Sequence, residues 1–191
     1  MLNYLKFLII LLLTKHCWTK GNNYVIVADE NSFFQPCSPE DNAGNKNMED
    51  LLELNLKHHF ADDMETLITN GNITMKFGVP LGVMIELDME IFQWKRGKWE
   101  KTLYYVKRED FCTAAFNPAE CWYSLTSQIA QEDRVCPPKE GTVYHLNNVE
   151  NRVELNNVDS MDIEGNYKII SHFSAGNYAS CITALVTVWK N

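Results

Sequence analysis

The chain has 191 residues, 46% of them hydrophobic, and a formal net charge of −8 from 17 basic and 25 acidic residues. That length fits one domain with a proper core. The acidity argues against nucleic-acid or anionic-membrane binding driven by net charge, and no apolar run reaches the roughly 20 residues of a membrane-spanning helix.

Lys6 lies just ahead of an apolar run from Phe7 to Leu13, with polar Thr14 and Lys15 after it. This is the charged start and short hydrophobic core of a secretory signal peptide. Thr19 and Gly21 are small residues at the spacing of a signal-peptidase site, so residues 1–21 are expected to be removed and 22–191 to form a single secreted, extracellular domain. The removed segment holds three lysines and no acids, which takes the basic residues from 17 to 14 and the net charge from −8 to about −11. Such a charge serves solubility.

Tyr24 to Val27, β-branched and aromatic, predicts the first strand. Asp29 to Asn47 is rich in Asn, Asp, Ser, Pro and Gly and reads as loop, with Cys37 inside it. Met48 to Asp63 fits neither helical nor strand period. It contains His58 and His59, which as neighbours point to different sides of any regular element and read as a solvated pair. Asn72-Ile73-Thr74 is an N-glycosylation sequon, preceded by the turn signal Asn70-Gly71.

Val83 to Gln93 is the cleanest periodic segment. Val83, Ile85, Leu87, Met89 and Ile91 share one face, and Glu86, Asp88 and Glu90 the other, which predicts a strand with one dry side. Those three carboxylates read as solubilising charges rather than an acid/base pair. Lys95 to Lys98 predicts a hairpin loop and Trp99 to Lys107 a returning strand. That strand carries Trp99, Leu103 and Tyr105 on one face and Thr102, Tyr104 and Val106 on the other. Asp110 suits a cap, and Trp122, Leu125 and Ile129 are spaced for one short helix over Ala119–Ile129. After Cys136, two prolines forbid helix, and strands are predicted at Thr142–Leu146, Asn166–Phe173 and Cys181–Trp189, the last two joined by a hairpin loop at Ser174–Tyr178. Asn147 to Glu164 is polar, with Val149, Val153, Leu155, Val158, Met161 and Ile163 alternating loosely. About seven mostly antiparallel strands and one helix describe a mainly β sandwich or open cup.

Cys17 falls in the signal peptide and Cys37, Cys112, Cys121, Cys136 and Cys181 remain. Secretion makes disulfides the default, and an odd count leaves one thiol free or paired between chains. No Cys-x-x-Cys or His-x-x-x-His pair supports zinc, and no metal or cofactor is expected. No nucleophile elbow or His-Glu-x-x-His motif occurs, so the reading is non-enzymatic, with Cys121 beside a histidine the one arrangement that spacing leaves open for thiol chemistry.

Cys136-Pro137-Pro138-Lys139-Glu140-Gly141-Thr142, then Gly165-Asn166-Tyr167-Lys168-Ile169 and Ser180-Cys181-Ile182, resemble the C-terminal half of the lysosomal ganglioside activator protein. Gly71-Asn72-Ile73-Thr74 and Asp110-Phe111-Cys112 resemble its glycosylated first strand and mid-chain cysteine. The layout is closest to the insect chemosensory proteins of the B type, secreted relatives of that activator. The resemblance runs from Cys37 to the C-terminus and is specific from Cys136 onward. It implies an antiparallel β-cup around an apolar, lipid-holding cavity, with disulfides Cys37–Cys181 and Cys112–Cys136. The chain has Arg134-Val135-Cys136 where the activator has Cys-x-Cys, and it lacks that protein's extra disulfide loop before Cys112. Cys121 is therefore the odd thiol.

The expected function is carriage of a small apolar ligand, a lipid or a lipid-like chemosensory signal such as a pheromone. The candidate cavity residues are Val83, Ile85, Leu87, Met89, Ile91 and Leu103, with Trp99, Tyr105, Trp122 and Tyr123 at the mouth. Plain core is the competing reading of each. The expected partners are the ligand, a membrane receptor or channel, and a membrane touched transiently. The alternatives are a glycolipid-extracting accessory protein for a hydrolase and a structural role with Cys121 bridging two chains.

Overall fold

β-branched and aromatic residues at alternate positions recur along most of the chain, and they build one extended antiparallel sheet. The computed structural model describes residues 21–42, 46, 48–158 and 162–191. Residues 1–20 of the expected signal peptide, Cys17 and Met161 lie outside them. Among the described residues nine strands form: β1 (Asn22–Ala28), β2 (Gln35–Pro36), β3 (Leu52–Phe60), β4 (Leu67–Met75), β5 (Glu86–Lys95), β6 (Lys98–Arg108), β7 (Val143–Val158), β8 (Gly165–Ala175) and β9 (Tyr178–Lys190). The order across the sheet is β3-β4-β7-β1-β9-β8-β5-β6, with the short β2 added to β9.

Two expectations change in the β4 and β7 regions. Asn70-Gly71 is not a turn: both residues lie within β4. Gly71 sits there at φ +127°, where an added Cβ would collide with the Asn55 carbonyl oxygen on β3. The segment from Asn147 onward is not a loose connection, because β7 runs unbroken to Val158.

That strand hides its period through two bulges. Thr69 pairs with Val149 and Gly71 with Leu146, so β7 uses three residues where β4 uses two. Asn22 pairs with Val158 and Tyr24 with Leu155, so the same happens against β1. Each extra residue shifts the inward row by one. Asn148 and Asn157 sit at the two bulges with φ 53° and 56°, in the left-handed region that asparagine tolerates better than most residues.

The expected single helix over Ala119–Ile129 shrinks to one turn at Tyr123–Thr126. Further short helical turns occupy Pro39–Asn42, Met48–Leu51 and Phe111–Ala115, and a 3-10 turn spans Gln131–Asp133. Asp110 caps the turn at Phe111, its carboxylate accepting from the Thr113 amide at 3.2 Å. The hydrogen bonds of these turns satisfy the backbone only locally, so tertiary contacts must hold them.

Two disulfides are present, Cys37–Cys181 and Cys112–Cys136, the pairing that the resemblance implies. The first closes 144 residues and the second 24. In the chain-entropy account such loops stabilise by about 5 and about 3 kcal/mol. Cys121 is unpaired and at the surface. One core cluster gathers Tyr24, Ala28, Leu67, Tyr167, Val186 and Val188 from β1, β4, β8 and β9. It fills one end of the sheet and leaves the other end to the pocket.

Candidate functional site

The pocket forms where apolar rows of several strands converge beneath loops. Ile73 on β4 pairs directly with Tyr144 on β7, and Leu52 on β3 with Met75 on β4. Directly opposed residues share a sheet face, so these four line one wall, together with Leu146. Phe173 and Ala175 of β8 lie opposite Ser180 and Tyr178 of β9 and, with Ile182, form a second wall. Phe77, Val79 and Ile85 close the pocket from the loop before β5. Phe111, Ala115, Phe116, Thr126, Ile129, Val135 and Pro138 close it from the segment between β6 and β7. The pocket's volume is about 250 Å³. Among the described residues, none that lines the pocket carries a charge.

Three arrangements fix this geometry. The Cys112–Cys136 bond ties the turn bearing Phe111 and Ala115 to the stretch bearing Val135 and Pro138. The Tyr144 hydroxyl donates to the Val135 carbonyl at 2.5 Å, and burial pushes its pKa up to about 12. Phe111 meets Phe173 edge-on at 5.3 Å between centroids, a favourable aromatic geometry. Its amide donates to the Ile85 carbonyl at 2.7 Å, which pins the pre-β5 loop to the same rim.

The structure distributes the ten candidate residues widely. Ile85 lines the pocket. Val83 is half-buried in the same loop, ahead of β5 rather than on it. Leu87 is buried at the start of β5, and Met89 and Ile91 are half-buried along it, with Ile91 packed on the core cluster. Trp99 packs edge-on to Trp94 at the β5–β6 hairpin, 5.0 Å between centroids. Leu103 and Tyr105 are on the surface, 98% and 70% exposed. Both lie on β6, an edge strand, and Leu103 sits in a bulge, where β6 holds two extra residues between the pairs Glu90–Tyr105 and Phe92–Lys101. Trp122 stands beside the pocket, its ring 6.0 Å from Phe111 and its Nε1–H donating to the Ala114 carbonyl at 3.1 Å. Tyr123 is half-buried in the turn that supplies Thr126. Most of the wall was thus unforeseen, although the alternation Ile73-Met75 and Tyr144-Leu146 was a signal available in the sequence.

The remaining polar candidates sit elsewhere. Asn72 lies next to Ile73 on β4 and so on the opposite face from the pocket, half-buried between Asn55 and His145 on the flanking strands. His58 is bonded to the Thr69 hydroxyl at 2.7 Å, and burial lowers its pKa against the opposing field of Glu30. His59 is exposed. Cys121 reaches the surface, but neighbouring atoms cover much of its thiol, and that burial, then Glu120, pushes its pKa up, which disfavours the thiolate that cysteine chemistry requires. Among the described residues no group of three or more His, Cys, Asp or Glu is placed to hold a metal ion, and no helix is long and apolar enough to cross a membrane. Comparison with protein-family models and with curated proteins finds no match.

Proposed function

We propose that the chain is a secreted, non-enzymatic carrier of an apolar ligand, a lipid or lipid-like chemosensory signal, with the sheet curving as a β-cup around the pocket. The observation that carries this reading is the pocket's lining. Aliphatic and aromatic side chains from β4, β7, β8, β9 and two loops line about 250 Å³ without a charge among the described residues, where a tightly filled core would leave few voids larger than a water. At about 30 Å³ per group of water or methylene size, that space takes about eight. Burying eight methylenes is worth about 6 kcal/mol gross, before the costs of ordering ligand and loops. The resemblance to the chemosensory proteins of the B type supports the same reading. The test is uptake of a fluorescent probe such as N-phenylnaphthylamine by delipidated protein, followed by displacement with lipids. No uptake would sink the proposal.

A second reading is favoured by one specific feature. The loop that lines the pocket through Phe77, Val79 and Ile85 also carries Leu81 and Met84, which are 102% and 63% exposed. Two large apolar side chains beside a pocket suit a lipid surface better than water. They fit an accessory protein that lifts a glycolipid from a membrane for a hydrolase. A liposome extraction assay separates the readings: ganglioside transfer favours the accessory role, and binding without transfer favours carriage.

A further inference from the structure

Among the described residues, one buried side-chain oxygen in the pocket walls has no hydrogen-bond partner. Ser180 belongs to the β9 row Tyr178-Ser180-Ile182 and faces Phe173 across the ladder. It is 6% exposed, and its hydroxyl has no hydrogen-bond partner. A buried hydroxyl left unpaired is unfavourable, and native proteins rarely keep one without a use. Alanine would fill the same place at no such cost.

We propose that the Ser180 hydroxyl anchors a neutral oxygen on the bound chain. The ligand class is a long-chain alcohol, ester or ketone, rather than a plain hydrocarbon or an ionised fatty acid. A plain hydrocarbon would leave Oγ unpaired. A carboxylate would enter a lining with no charge to offset its desolvation. A hydroxyl both donates and accepts, so it matches a carbonyl or an alcohol equally. This inference rests on the carrier reading.

The test is competition against N-phenylnaphthylamine on the full delipidated protein, with decane, decanol and decanoate, in wild type and Ser180→Ala. Decanol is expected to lose about tenfold in affinity in Ser180→Ala, the worth of one net hydrogen bond, while decane stays within about twofold. Decanoate at neutral pH is expected to compete poorly with both proteins. A second measurement needs no variant: the infrared carbonyl band of bound methyl decanoate should lie below its position in hexane. Equal responses of decanol and decane to Ser180→Ala, a band at the hexane position, or decanoate as the strongest competitor would each overturn the inference. Probe uptake without these signatures removes the anchor alone, whereas no probe uptake by wild type removes the carrier reading with it.

Discussion

The Asn70 side chain on β4 accepts a hydrogen bond from the Asn148 amide on β7 at 2.8 Å, across 78 residues of sequence. Asn148 stands at the first bulge of β7 with a positive φ, and its amide would otherwise lose its place in the ladder. The second bulge repeats the device, with the Asn157 amide donating to the Asn23 side chain on β1 at 3.1 Å. Asparagines therefore set where the inward row of β7 changes parity.

Replacing Asn148 by valine forces a β-branched residue into the left-handed region and should cost about 1–2 kcal/mol. For a domain of this size that lowers the melting temperature by about 2–8 °C. Asn148→Gly should stay within about 0.5 kcal/mol of wild type. Thermal denaturation followed by circular dichroism distinguishes the two, and equal losses would contradict the bulge argument.

Gly71→Ala should be more damaging, because φ +127° is unfavourable for alanine and its Cβ would meet the Asn55 carbonyl. Backbone strain and overpacking together predict a loss of at least about 3 kcal/mol. Urea denaturation gives the value directly.

Removing the rim disulfide with Cys112→Ser and Cys136→Ser should lower stability by about 3 kcal/mol. Probe affinity should fall as well, since the bond joins two stretches that line the pocket. A variant that melts earlier yet binds the probe as wild type does at low temperature would show that the bond serves stability alone.

Tyr144 gives the domain an alkaline limit. Its folded pKa is raised from 10.0 to about 12, so the folded state holds the neutral phenol more tightly than the unfolded chain does. This contribution is complete below pH 10 and is lost as pH rises through about 12. Stability measured against pH should fall across that window, and Tyr144→Phe should flatten the fall.

On the accessory reading, Leu81→Asp with Met84→Asp abolishes extraction of lipid from liposomes and leaves probe binding within about twofold, because neither side chain lines the pocket. Loss of both activities together would instead place these residues in ligand binding.

Strand identity was legible wherever the alternation kept its parity, as it does through the two-residue bulge of β6. Val83–Gln93 and Trp99–Lys107 announced the β5–β6 hairpin, and Arg96-Gly97 at its tip take positive φ as a tight turn demands. The pocket was harder to read. Its wall draws on Ile73, Tyr144 and Phe173, which lie far apart in sequence and meet only through the order of the sheet. Leu146, the row Val149-Val153-Leu155 and Val158 look loosely spaced because one extra residue on each side of that row shifts the parity, and no periodicity count reveals a bulge. The cavity row assigned to β5 followed one clean alternation, but Leu87 is buried outside the pocket lining and only Ile85 contributes to it.

The place of β9 in the sheet has a consequence for biosynthesis. One leaf, β3-β4-β7-β1, and another, β8-β5-β6, meet through this strand. β1 emerges from the ribosome early but cannot join the second leaf until β9, far along the chain, has followed it. Cys37 likewise waits for Cys181. Assembly of the full sheet is therefore a late event dominated by distant pairings, which slow folding. Until then the apolar faces of both leaves lie uncovered and open to chaperones.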